Sequence, residues 1–267
     1  MQIYTKASLI AALKRIHDMG WVENTTRKTN QGAIGNLLED YLGIEENNLP
    51  LPNANEWELK TWRKGSTSLL TLLHKEPSPR TYRFVPRVLL PKYGWAHQDA
   101  GAKYHESEMS FRQTITTKYS DRGFCVVADD ENRHIRISFN ASMVDERHSD
   151  WLKSVELRVG LGDLDPAPYW GYDDVFYHIG SKLGSTVLVG ADRKSELDSV
   201  TGERREYFYY NSCLMLKSFS IERFLDLLRE GAVYVDFDAR TGHNHGTKFR
   251  MNQNRLSELY AEVEEIF

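Results

Sequence analysis

Apolar residues return every three or four positions near the start of the chain, at Leu9, Ile10, Leu13, Ile16 and Met19, and Gly20 ends the run. That spacing predicts an amphipathic helix with one buried stripe. A second helix is predicted from about Gly32 to Leu42, with Ile34, Leu37, Leu38, Tyr41 and Leu42 apolar and Gly43 at its C-terminal end. Pro50 and Pro52 break the chain before a strand over roughly Trp57 to Trp62, and Ser68 to Leu73 reads as another. Gly123–Ala128 and His134–Phe139 flank a polar turn and predict a hairpin. The helical period returns over Tyr172–Leu183, followed by strands at Thr186–Val189 and Tyr207–Tyr210. Ser220 caps a helix through Leu228, Val233–Phe237 forms a strand, and Leu256–Phe267 closes the chain as a helix. Mixed elements of this kind predict an α/β (α+β) fold. No linker of proline, glycine and serine marks a boundary, so the expected division is loose. It puts residues 1–110 in one lobe and 111–267 in a second, with one continuous domain as the alternative.

Composition narrows this picture only slightly. The 267 residues are 40% hydrophobic and 27% charged, with two cysteines, Cys125 and Cys213, and no CxxC pair. A reducing compartment is therefore expected. The opening residues lack the apolar core of a signal peptide, and no apolar run approaches the roughly 20 residues that span a bilayer. The expectation is a cytoplasmic protein. The net charge of −4 does not by itself favour a polyanionic partner. Its distribution is uneven, however: between Trp57 and His97 there are eight lysines and arginines against Glu58 and Glu76 alone. A solvated basic face and a phosphate-binding face both fit that stretch.

Candidate chemistry starts at Asn53-Ala54-Asn55-Glu56-Trp57-Glu58-Leu59-Lys60. Side chains alternate along a strand, so Glu58 and Lys60 share one side while Trp57 and Leu59 face the core. A carboxylate can hold a hard cation through oxygen, and an adjacent ammonium can orient or deprotonate a water and offset charge on a phosphate. An exposed ion pair on an edge strand is the other reading. Glu39, on the preceding helix, offers a third acid near the start of this strand. Arg63 and Lys64 follow it and suit phosphate contacts. Near the C-terminus, Gly242 and Gly246 bracket His243, Asn244 and His245, with Lys248 and Arg250 just beyond. Histidine, asparagine and arginine match base edges, arginine pairing with guanine O6 and N7. A polar surface loop is the plainer alternative, and zinc lacks a nearby third ligand.

Taken together, the run G-x-x-G-x-x-L-E at Gly32–Glu39, the following L-G, ENN-L and E-W-E-L-K, then Ser68–Lys75 and Gly242–Arg250, resembles the MvaI/BcnI restriction endonucleases and the related nickase MutH. These are PD-(D/E)xK nucleases. The resemblance covers most of the chain and is vague over about Pro77–Leu183. It implies a mixed β-sheet flanked by helices, with two lobes gripping double-stranded DNA. It implies a monomer using Mg²⁺ to cut a short CC/GG-type site, accompanied in a bacterial cytoplasm by a methyltransferase that it does not contact. The implied catalytic set is Glu58, Lys60, Asn53 and Glu39, with Asn53 and Glu58 on the metal. The candidate DNA-binding set is His74, Lys75, Arg63, Asp236, Arg240, His243, Asn244, His245, Lys248 and Arg250; of these the resemblance carries His74, Asp236, His243, Asn244, His245 and Arg250, whereas Arg240, like Asp238, follows no shared pattern. One departure matters most. Where the family has an aspartate, five residues before the glutamate, this chain has Asn53. Asparagine keeps a carbonyl ligand but loses the charge, and so should hold Mg²⁺ less well. An engineered knock-out, a natural enzyme relying on Glu39 and Glu58, and a DNA-binding relative without catalysis all fit that asparagine. A nicking repair enzyme of the MutH kind is a further alternative.

Overall fold

A computed structural model describes residues 4–25, 32–44, 54, 56–197 and 201–267. Asn53 lies outside the described residues. The chain folds as two units, neither of which is one half of the sequence. The first comprises Met1–Ser68, His178–Ser220 and Gln253–Phe267, and the second Leu69–Tyr177 and Ile221–Asn252. A single division near residue 110 is therefore not how the contacts fall, because the chain leaves the first unit at Ser68 and returns to it twice.

In the first unit Thr5 starts the N-terminal helix, Lys6–Asp18, through a reciprocal capping box with Ser8. Leu9, Leu13 and Ile16 form its buried stripe. The second helix, Ala33–Leu42, ends where Gly43 takes a left-handed conformation at φ 62°. The sheet runs in the order Val22–Glu23, Arg204–Phe219, Ser185–Leu197, Glu58–Arg63, and Tyr260–Glu265 also pairs with Arg204–Phe219. Among the described strands of this sheet only Glu58–Arg63 is parallel to its neighbour. It is an edge strand, paired residue for residue with Thr186–Ala191. Leu37, Leu38 and Leu42 pack with Leu59, Val187, Val189 and Met215 in one core, each fully buried side chain contributing roughly 1.5–3 kcal/mol. Gly35 is a point of close approach in this packing, since a Cβ there would stand 3.0 Å from Thr61 Oγ1. The helix Ala33–Leu42 therefore covers the Leu59–Thr61 side of the strand.

The closing helix expected over Leu256–Phe267 is instead a 3₁₀ segment, Gln253–Leu259, followed by the strand Tyr260–Glu265. Leu256, Leu259 and Tyr260 are all buried at near-helical spacing, which mimics the amphipathic signal. Pairing of Leu214–Phe219 with Tyr260–Glu265 decides the conformation, a case of tertiary context overriding local pattern.

The second unit holds two antiparallel sheets. The larger runs Leu69–His74, Lys248–Asn252, Val233–Arg240, Met109–Ile115, Trp95–Ala96, with His243–Asn244 pairing back onto Val233–Arg240. The smaller contains the expected hairpin, Arg122–Asp129 and His134–Val144, plus Tyr169–Gly171. The core is aromatic. Phe111 meets Phe237 and Phe124 edge-on at centroid distances of 5.6 and 5.5 Å, and Trp170 meets Phe249 at 5.2 Å, geometries that add to area burial.

Candidate functional site

Alternation along Glu58–Arg63 sends Leu59 into the core and turns Glu58 and Lys60 to the other side. The pair is not an exposed surface bridge. Glu58 is 2% exposed, and Lys60 Nζ lies 2.7 Å from its Oε1. A second ammonium reaches the same oxygen: Lys182, in the last turn of the helix Tyr172–Leu183, has its Nζ at 3.3 Å. Glu58 Oε2 is buried and, among the described residues, has no hydrogen-bond partner.

Beneath the pair, Thr186 is the strand partner of Glu58 and accepts a 2.6 Å hydrogen bond from the buried Tyr260 hydroxyl. Burial, chiefly, and the nearby Glu58 charge push the Tyr260 phenol well above its ordinary range, against a lowering by its bond to Thr186. It therefore remains a neutral hydrogen-bond donor near neutral pH.

Among the described residues, two cations around one carboxylate give this cluster a formal surplus of positive charge. Such a cluster suits a phosphate oxygen, because the anion offsets the surplus where screening by water is weak. The open Oε2 also suits a hard cation, for which a carboxylate oxygen is the natural ligand. Among the described residues no group of three histidines, cysteines or acids could hold a metal ion. Glu58 is thus a fitting but partial ligand set, as Mg²⁺ sites completed by water and substrate phosphates commonly are. Glu39 is half-buried on Ala33–Leu42, the helix that covers the Leu59–Thr61 side. Arg63 is the last residue of the strand and by alternation also belongs to that side.

The second unit gathers most of the remaining sequence candidates on one side of its larger sheet. Strand pairing sets His74 opposite Lys248, Lys248 opposite Asp236, and Arg250 opposite Tyr234. Asp236, Asp238 and Arg240 alternate with the buried Val235, Phe237 and Ala239. Across the next strand they face Thr114, Arg112 and Ser110. His243, Asn244 and His245 are exposed at the tip, with the two imidazoles edge-to-face at 4.3 Å.

This side is wired internally. Asp236 is 8% exposed. Its Oδ1 accepts from the Thr114 hydroxyl at 2.8 Å and its Oδ2 from Arg250 at 3.1 Å. Arg250 also donates to the Leu69 carbonyl at 2.8 Å. Arg240 donates to Glu108 at 3.0 Å and lies over the Tyr104 ring at 4.7 Å. Lys75 is the candidate that is not brought to this side. It is buried, with its ammonium 2.8 Å from Asp174, because alternation turns it away from His74. Sequence reasoning missed Lys182, Arg112, Thr114 and Glu108. Lys182 carried no usable signal, since only the parallel pairing of distant strands brings it to Glu58.

A sequence profile described as the MvaI/BcnI restriction endonuclease family matches residues 10–260. Comparison with curated proteins gives no match. Among solved structures, the restriction endonuclease MvaI–cognate DNA substrate complex is similar at TM-score 0.73 and 24% identity, over 99% of this chain and 100% of that one. Restriction endonuclease MvaI in the absence of DNA is similar at TM-score 0.52 and 22% identity, over the whole of both chains. Both likenesses concern the fold.

Proposed function

The chain belongs to the MvaI/BcnI restriction endonuclease family, and from that premise we propose that it hydrolyses double-stranded DNA at a short CC/GG-type site, with Glu58, Lys60 and Lys182 at the reacting phosphate. The observation that carries this reading is the buried Glu58 carboxylate, with two ammoniums on one oxygen and the other without a partner among the described residues. No helix of the described residues is long and apolar enough to cross a membrane.

In this reading Lys182 and Lys60 draw a backbone phosphate into the positive cluster. Lys60 orients the attacking water and offsets the charge that grows on the phosphoryl oxygens. Glu58 holds Lys60 in place, and its Oε2, together with Asn53, would ligate Mg²⁺. When bound, that ion would supply Lewis acidity toward the phosphate and the leaving 3′-oxygen. Asn53 weakens this ligand set because it contributes a neutral carbonyl in place of a charged oxygen. The polar side of the second unit reads the bases, with Arg240, Arg250 and the His243–His245 tip as donors. Asp236 and Glu108 orient the two arginines.

The test is plasmid cleavage in Mg²⁺ by this chain and by its Asn53→Asp variant, with the ends mapped. Cleavage by the variant at one short sequence, with little or none by the parent, is the expected result. Equal cleavage by both would make Asn53 an adequate ligand. Failure of both, with sequence-selective binding retained, would replace catalysis by DNA binding alone.

A further inference from the structure

Glu76 is the one carboxylate besides Glu58 in the basic stretch from Trp57 to His97. A negative charge beside a surface that meets DNA works against phosphate approach, so its position asks for a reason. Both of its oxygens are spent on one loop. Oε1 accepts from the Thr247 backbone N–H at 2.9 Å and from Asn244 Nδ2 at 3.4 Å, and Oε2 accepts from the Thr247 hydroxyl at 3.4 Å. The Lys75 N–H donates to the Thr247 carbonyl at 2.9 Å, so the Thr247 backbone is held at both ends. Thr247 itself is 1% exposed.

The loop needs such holding. Gly242 and Gly246 sit at φ +71° and +80°, which permits the tight reversal but leaves the backbone many alternatives. Between them, His243, Asn244 and His245 are exposed. Asn244 Oδ1 accepts from the Gly246 N–H at 3.1 Å while its Nδ2 donates to Glu76. Each polar atom of the Asn244 side chain therefore makes one bond to the loop's own frame, which sets the direction of the side chain. His245 is tied through its N–H to the Asp238 carbonyl at 2.9 Å. A Cβ on Gly246 would stand 3.5 Å from Glu76 Oε1 and 4.0 Å from His74 Nδ1, so the carboxylate and the His74 ring both flank the turn.

We propose that Glu76 is a positioning residue for sequence discrimination: it presets, through Thr247 and Asn244, the loop conformation in which His243 and His245 meet DNA. The inference rests on the nuclease reading above. Without the carboxylate the loop samples several conformations, and the cost of ordering it falls on every binding event. That cost is recovered unequally, because only the preferred sequence rewards the ordered loop.

The experiment compares Glu76→Ala and Glu76→Gln in the Asn53→Asp chain, on the mapped site and on sites with one base pair changed. Glu76→Ala is expected to lower the preference for the mapped site by about tenfold, the size of one base discrimination, with the loss in KM more than in kcat. Glu76→Gln keeps an acceptor for the Thr247 N–H and can donate to the Thr247 hydroxyl, and so restores most of the preference. Hydrogen exchange at the Thr247 and Gly246 amides, measured without DNA, should speed up in Glu76→Ala and stay near parental in Glu76→Gln. If the Asn53→Asp parent cuts nothing, the nuclease reading fails and this role goes with it. If the parent cuts at one site and Glu76→Ala keeps that preference within twofold, the Glu76 assignment alone is wrong. A uniform fall on all sites with equal loss in both variants would also overturn it, as the sign of a purely structural role.

Discussion

The two charged regions of this protein solve opposite problems. Around Glu58, among the described residues, the cations outnumber the carboxylate, the carboxylate is buried, and one of its oxygens is unpartnered. On the polar side of the second unit each arginine has a carboxylate: Arg250 with Asp236, Arg240 with Glu108, Arg112 with Asp238. An unbalanced buried cluster stores affinity for whatever completes it, since an unmet polar atom is costly in a dry environment. A balanced, half-exposed set stores little affinity and much geometry, because each guanidinium is aimed before a ligand arrives. The first arrangement suits chemistry on a charged group. The second suits choosing among sequences.

Breaking the second region should cost discrimination. Arg250→Lys keeps the charge but loses the planar fork held by Asp236 and the Leu69 carbonyl. In an Asn53→Asp chain that cuts, its preference for the mapped site over single-base variants should fall by roughly 5- to 150-fold, corresponding to about 1–3 kcal/mol. Cleavage competition between the two substrates measures this, and an unchanged ratio would remove Arg250 from the reading set. Breaking the first region at its rim should cost affinity for phosphate without changing sequence choice. Lys182→Met in the same background should weaken DNA binding by a few-fold and lower the slope of log K against log salt by about one. Titrations at several salt concentrations read that slope, and a parental slope would separate Lys182 from the phosphate.

The smallest expected effect is none at all. Burial pushes the Cys213 thiol up to about 12 and raises that of Cys125, where a bond to Tyr119 opposes the shift. At pH 8 both are therefore thiols and not the reactive thiolates. Iodoacetamide should leave the folded protein unmodified, as read by intact mass, and rapid labelling of either cysteine would show that its unit opens readily.

Much of this architecture was legible from spacing. The 3–4 period from Leu9 to Ile16, Gly43 as a helix stop, and the hairpin around Asp129–Arg133 all appear where the pattern put them. Alternation in Trp57–Lys60 correctly sent Leu59 inward and set Glu58 beside Lys60. What spacing could not carry was burial of the pair, which comes from the neighbouring strand and from Lys182, far away in sequence. Nor could it separate Lys75 from Glu76. Both are polar and adjacent, yet the buried Lys75 is tied to Asp174 and the half-buried Glu76 to Thr247 at the base of the His243–His245 loop. The last strand failed for a related reason. Leu256, Leu259 and Tyr260 repeat like a helix, and only the partner strand shows that Tyr260–Glu265 is extended.

The central claim is that Glu58 and Lys60 form the cutting centre. It is tested most directly by adding Lys60→Ala to the Asn53→Asp chain and following Mg²⁺-dependent plasmid cleavage in single turnover. The account predicts a rate lower by about a hundred- to ten-thousandfold, with binding to the same DNA sequence retained. Cleavage at the parental rate would contradict it.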